Sequence, residues 1–192
     1  DNTIVLFQSD NGPAPNEAGS AGNLRGTKFT EWEGGVRVPA IIKWPNGFKG
    51  GWKCEQVMGY VDVFPTVLQA AGVTAKPKNA LDGINILPVL KQKQANIDRN
   101  LFLGAGVIVN KEWKLLEKSD LNPRMKLKSD LLFHIAVDPG EKNDVRAEHS
   151  AGYDLLKKQL VPYNAIKSKM EVADYGAGSK GFVAPKEWKI KN

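Results

Sequence analysis

Two adjacent oxygen-bearing side chains, Asp10 and Asn11, followed at once by Gly12, close an apolar run from Thr3 to Phe7. A carboxylate beside a carboxamide offers hard oxygen ligands of the kind calcium or magnesium takes, and glycine lets the backbone turn sharply around an ion. The β-branched run before them reads as a buried strand that delivers these side chains to its carboxyl end, where open α/β sheets hold their ligands. Further on, Leu24 to Lys28 (LRGTK) sets Arg25 and Lys28 three apart. On one helical turn they present two cations to an anionic substrate held against that metal. Asp-Asn-Gly alone is also a common turn sequence, so its chemistry depends on what surrounds it.

The elements that position these groups can be read outward from them. Pro13 to Asn23 is a polar, glycine-rich loop, suited either to shaping a pocket or to lying plainly on the surface. Thr27 to Trp32 is expected to form a helical turn ended by Gly34 and Gly35. Val36 to Trp44 reads as a strand, with Pro39 placing it at an edge or bulge and Lys43 to Gly47 closing it with a turn. Pairing with Glu31 or Glu33 is the expected role of Arg37. A helix is expected from an Asp62 cap through Ala71, with Gly72 as the stop, Pro65 in its first turn, and Phe64, Val67, Leu68 and Ala71 as a core-facing stripe. Leu81 to Leu90 leads to a short apolar segment.

The character of the chain changes near Gln92, which divides it into residues 1–91 and 92–192. Leu101 to Val109 and Trp113 to Glu117 read as a hairpin around Asn110 and Lys111, and Leu131 to Val137 as a third strand ended by the Asp138-Pro139-Gly140 turn. A helix capped by Ser150 carries a Tyr153, Leu156, Leu160 stripe until Pro162 interrupts it. The second half is therefore a small antiparallel sheet covered by a helix. His134 and His149 lack the paired spacing of a zinc site. The basic loop Lys118 to Lys128, with Arg124, Lys126 and Lys128, reads as a solvated loop in preference to a contact for a sulfated polymer. The tail from Gly176 to Asn192 is expected to fold back or fray.

Composition limits the function classes. At 192 residues and 42% apolar, the chain can bury a core of ordinary domain size. Its formal charge of +6 is spread along the chain and not gathered with aromatics, which argues against a nucleic-acid groove. The single cysteine, Cys54, cannot form an internal disulfide. No apolar run approaches the roughly 20 residues that cross a bilayer, and no signal peptide is evident. A strand that opens the chain almost at once needs neighbours, so further polypeptide is expected to cover it.

The order SDNG, LRGTK, EWEGGVRVPAIIKWP, DVFPTVLQAAG and LDGINILPVL resembles the C-terminal half of the sulfatase family, the formylglycine-dependent sulfuric ester hydrolases of alkaline-phosphatase-like fold. LFHIAVDPGEKNDV looks like that family's closing strand and turn, so the resemblance covers residues 1–160. It implies an α/β fold, Asp10 and Asn11 as ligands to calcium or magnesium, Lys28 as the catalytic sulfate contact, and Arg25 as a further substrate-binding residue. The formylglycine arises within a Cys/Ser-x-Pro-x-Arg motif that this sequence lacks: Cys54 is followed by Glu55 and Gln56, and Pro123-Arg124 has no suitably placed cysteine or serine. The nucleophile and the other metal carboxylates are therefore expected from the upstream half.

By this resemblance the substrate is a sulfated small molecule or carbohydrate, the partner is the N-terminal half or a second copy, and the location is periplasmic or secreted. A non-catalytic, truncated module with a structural or glycan-binding role is the alternative. A phosphatase or phosphonate hydrolase of the same superfamily shares the metal logic.

Overall fold

The computed structural model describes residues 1–166, apart from 17, 75 and 76, together with residues 181 and 183. The tail from Gly176 onward otherwise lies outside the described residues. The core is a four-stranded antiparallel sheet of β3 (Leu101–Gly104), β4 (Val107–Val109), β5 (Lys114–Leu116) and β6 (Leu131–Phe133), in that order. Leu101 to Val109 is thus two strands, because Gly104, Ala105 and Gly106 all take positive φ and reverse the chain. Only Leu131–Phe133 of the expected third strand is paired. The Asp138 carboxylate then accepts the Lys142 and Asn143 N–H groups and fixes the turn.

Alternation along the strands gives the sheet two apolar faces. Ile108, Leu115 and Leu132 meet Leu156 and Leu160 of α4 (Ser150–Asn164). The covering helix and its stripe are as the sequence predicts. α4 runs two residues past Pro162, and the Ser150 side chain makes no cap hydrogen bond. Val107, Val109, Leu116 and Phe133 form the other face and pack on Trp32, Met125 and Ile135. A tryptophan from the first half of the chain is therefore built into the core of the second.

The opening strand corrects the sequence reading. β1 (Val5–Gln8) pairs antiparallel with β2 (Ala40–Lys43), Val5 opposite Lys43 and Gln8 opposite Ala40. It is not buried: Val5, Phe7 and Ile41 are 55%, 66% and 65% exposed. Among the described residues β2 is its only sheet neighbour, and nothing stacks on this face. β2 is also shorter than Val36 to Trp44, starting just after Pro39.

α2 (Val63–Ala70) follows a single 3-10 turn at Tyr60–Asp62. Donation from the Val73 N–H to the Leu68 carbonyl and from the Gly72 N–H to the Gln69 carbonyl closes the helix at Gly72. Its buried position is Thr66, whose Oγ1 accepts the Ile86 N–H ahead of α3 (Leu87–Leu90), while Phe64 and Val67 face solvent. The expected core stripe is thus the exposed one. Asp62 is fully buried and caps the 3-10 turn in place of α2: it accepts the Gly59 and Ile84 N–H groups and pairs with Arg99.

Candidate active site

The segment from Trp32 to Val36 holds the predicted site residues together. α1 (Glu33–Val36) contains both Gly34 and Gly35, so these glycines form the helix that they were expected to end. Close backbone approach explains them. The Gly34 N–H donates to the Arg25 carbonyl at 2.6 Å, and a Cβ on Gly34 would stand 2.6 Å from that same oxygen. On the other side the Gly12 N–H donates to the Gly35 carbonyl at 2.9 Å, and a Cβ on Gly12 would overlap the Gly34 carbonyl. No side chain larger than hydrogen fits between these strands of backbone.

The two motif loops also touch directly. The Lys28 N–H donates to the Pro13 carbonyl at 2.9 Å, which brings the LRGTK loop against the turn that carries Asp10 and Asn11. Asp10 is exposed and its Oδ2 accepts Asn11 Nδ2 at 2.6 Å, while Ser9 Oγ donates to the Asn11 carbonyl at 2.8 Å. That bond leaves the Asn11 amide oxygen and the second Asp10 oxygen as donors toward a cation. They fit calcium or magnesium in kind and fall short in number, supplying two of the about six to eight oxygens calcium takes. Among the described residues no group of three or more His, Cys, Asp or Glu could hold a metal. Beside the turn lies an open cleft of about 550 Å³ lined by Phe7, Ser9, Asn11, Leu24, Arg37 and Pro39, among others.

The predicted cations diverge in their surroundings. Arg25 lies with its guanidinium 3.6 Å from the centroid of the Trp32 ring and donates to the Glu141 carbonyl at 3.1 Å, so it is already engaged within the chain. Lys28 Nζ stands 5.4 Å from the Phe29 ring centroid. Arg37 pairs with Glu33 at 3.4 Å, as expected.

Beneath α1 is a charged group that the sequence reading missed. Lys114 is fully buried on the Trp32 face of the sheet, between Val109 and Phe133 in register. Its Nζ lies 2.9 Å from Glu33 Oε1 and 3.1 Å from Glu141 Oε1, and Glu141 Oε2 accepts the Glu33 N–H at 2.7 Å. Burial pushes the Glu141 carboxyl up from its ordinary range, against the pull of the Lys114 charge and the Glu33 N–H. The available signal was a lysine at a core-facing position of an apolar strand, two residues before Leu116 and on the same face. His134 and His149 have structural roles, packing on Trp113 at centroid distances of 4.4 and 4.8 Å.

The chain is similar to known proteins over much of its length. A family model described as Sulfatase matches residues 1–73. Human N-acetylgalactosamine-6-sulfatase is 32% identical over 174 residues, covering 74% of this chain and 33% of that protein. A crystal structure of Ps i-CgsB in complex with k-i-k-neocarrahexaose is 27% identical with a TM-score of 0.73, covering 86% of this chain and 37% of that one. The PsFucS1 sulfatase from Pseudoalteromonas sp. is 25% identical with a TM-score of 0.71, covering 85% and 37%.

The chain belongs to the sulfatase family, a family of sulfuric ester hydrolases, and is a partial sulfatase region of α/β fold. It spans about a third of the length of the human N-acetylgalactosamine-6-sulfatase it matches.

Proposed function

We propose that these residues form the C-terminal part of a sulfatase that hydrolyses sulfate esters of carbohydrates. Asp10 and Asn11 supply oxygen ligands to calcium or magnesium, Lys28 contacts the substrate sulfate, and Arg25 stands on the substrate side of the same loop. The observation that carries this reading is the stitching of the two motif loops through the Lys28 N–H to Pro13 and Gly12 N–H to Gly35 hydrogen bonds. When bound, the cation supplies positive charge for the sulfuryl oxygens. Lys28 adds a compact, mobile charge whose position is set by its backbone before substrate arrives.

The formylglycine nucleophile and the remaining ligands come from polypeptide outside these 192 residues. A carbohydrate substrate is supported by the N-acetylgalactosamine-6-sulfatase relatives and by the neocarrahexaose complex. A periplasmic or extracellular location is supported by the family resemblance. No described helix is long and apolar enough to cross a membrane.

The test is sulfate release from a sulfated monosaccharide by protein that joins these residues to the formylglycine-bearing sequence. Lys28→Ala is expected to lower kcat/KM by about 100-fold or more, and Asp10→Ala to abolish rescue by added calcium or magnesium. Full activity of the Lys28→Ala enzyme overturns the assignment. The 192-residue chain alone is expected to show no turnover, since it lacks a nucleophile.

A second reading, a non-catalytic module that associates through its apolar surface, is favoured by the exposed Val5, Phe7, Ile41, Phe64 and Val67. Native mass measurement separates the two. A bound polypeptide carrying formylglycine supports the enzyme, and a lone homodimer supports the module.

A further inference from the structure

The basic loop between β5 and β6 is docked against the Lys28 loop through Asn122 and Met125, while Arg124, Lys126 and Lys128 stay exposed as the sequence predicts. Asn122 Nδ2 donates to the Phe29 carbonyl at 3.1 Å and to Glu31 Oε2 at 2.6 Å. The Glu31 N–H meets Met125 Sδ at 3.3 Å, and Met125 is buried in the Trp32 core. Held from both sides, Arg124 places its guanidinium 4.3 Å from the Phe29 ring centroid, the same ring that Lys28 Nζ approaches at 5.4 Å.

Phe29 is exposed and has a φ of 76°, a left-handed backbone that a bulky residue adopts only when its surroundings impose it. Here the Asn122 amide holds the Phe29 carbonyl in place. Among the described residues neither Lys28 nor Arg124 forms an ion pair, whereas Lys114, Lys157, Arg37 and Arg99 all do. Two cations from segments far apart in sequence thus share one aromatic ring with no carboxylate to neutralise them.

We propose that Lys28, Phe29 and Arg124 form one binding surface for a saccharide carrying two anionic groups. Lys28 takes the sulfate of the ester to be cut, Arg124 takes a second sulfate or carboxylate, and Phe29 fixes their separation. The two cations lie closer together than the sum of their distances to the ring, a span that two substituents on the same or neighbouring sugar residues bridge. Arg124 presents a planar fork of donors suited to such an oxyanion. The inference rests on the reading of Lys28 as the sulfate contact, and it assigns the basic loop to substrate selection.

The test is titration calorimetry on protein that joins these residues to the upstream sequence, with the formylglycine-forming Cys or Ser replaced by Ala, using a glucosamine carrying two sulfates, the same sugar carrying one, and the unsulfated sugar. The disulfated sugar is expected to bind more tightly than the monosulfated one. Arg124→Gln is expected to weaken it about fivefold while leaving the monosulfated sugar within about a factor of two, and Arg124→Lys to recover part of the loss. Lys126→Gln removes the same charge from the same loop and is expected to change neither.

Equal losses for both sugars, an equal effect of Lys126→Gln, or no preference of the parent chain for the disulfated sugar overturns the proposal. Because no turnover is measured, failure here is distinct from failure of the sulfatase reading. Lys28→Ala that leaves both affinities unchanged removes Lys28 from the sulfate role on its own.

Discussion

Replacing Lys114 with methionine tests how much of the site's framework depends on one buried ammonium. Lys114→Met keeps an unbranched apolar stem one atom shorter and deletes the charge that Glu33 and Glu141 share at 2.9 and 3.1 Å. Glu33 retains only Arg37, half exposed at 3.4 Å, and Glu141 retains only the Glu33 N–H. Removing one partner from a buried ionic cluster costs about 3–5 kcal/mol, mostly the penalty of the carboxylates left behind. With a urea m-value of about 2 kcal/mol/M, the midpoint falls by about 2 M.

The loss also depends on pH. The Glu141 carboxyl is held above its ordinary 4.5 by burial, so the folded chain binds its proton more tightly than the unfolded chain does. Its contribution to stability is fully present below 4.5 and is lost as pH rises through the folded value. Without Lys114 the folded value rises further, so the variant loses more stability at pH 7 than at pH 4.5. Adding Glu33→Gln and Glu141→Gln to Lys114→Met is expected to recover more than half of the loss at pH 7. A midpoint shift below about 0.5 M, or a loss that is larger at pH 4.5 than at 7, refutes the argument.

Gly34→Ala is expected to cost about 2–4 kcal/mol in thermal or urea unfolding, because its Cβ meets the Gly26 and Arg25 carbonyls and backbone must move. Asp62→Ala is expected to cost about 3–5 kcal/mol by the same measurement, since it strands the Arg99 charge and two N–H groups. Burial raises the Asp130 carboxyl, but hydrogen bonds from Lys157, Tyr153 and the Lys118 N–H outweigh it and hold it below its ordinary 3.8. That stability is present above 3.8 and lost as pH falls through the folded value, so Asp130→Asn is expected to flatten the acid limb of an unfolding-versus-pH profile and to lower neutral stability by about 1–2 kcal/mol.

The antiparallel sheet, its covering helix and the Asp138 turn were legible because each is a local pattern: short apolar runs on either side of Asn110 and Lys111, helical spacing of Tyr153, Leu156 and Leu160, and a turn-forming triplet. The Gly72 stop and the Arg37 to Glu33 pair were legible for the same reason. The α2 stripe misled, because helical periodicity marks an apolar face and does not say what covers it. Phe64 and Val67 are apolar and exposed, while Thr66 is buried through a hydrogen bond to Ile86 that no periodicity predicts. β1 misled likewise, its apolar run being a fact of sequence and its burial depending on neighbours.

The residues of the site were named from motif order, yet their connections were not readable. Gly34 and Gly35 look like helix breakers until Gly12 and Arg25 are seen pressing on them from either side. Lys114 and Glu141 are 27 positions apart and lie 81 and 108 positions from Glu33, so their meeting is purely tertiary. The docking of Asn122 and Arg124 on Phe29 is of the same kind.

Trp32 stands four residues after Lys28 and inside the apolar face formed by Val107, Leu116 and Phe133. A loop with its tryptophan in the sheet cannot open by a local fluctuation that leaves the sheet intact. The Lys28 segment and the β-sheet therefore belong to one cooperative unit, and the buried Gly34 and Gly35 amides are expected to exchange with solvent hydrogen at the rate of β4 and β5. β1 and β2, exposed on one face and outside that core, are expected to exchange faster. The Lys28 segment is thereby tied to the rigid core, and the β1–β2 pair ahead of Asp10 and Asn11 is the part expected to yield first.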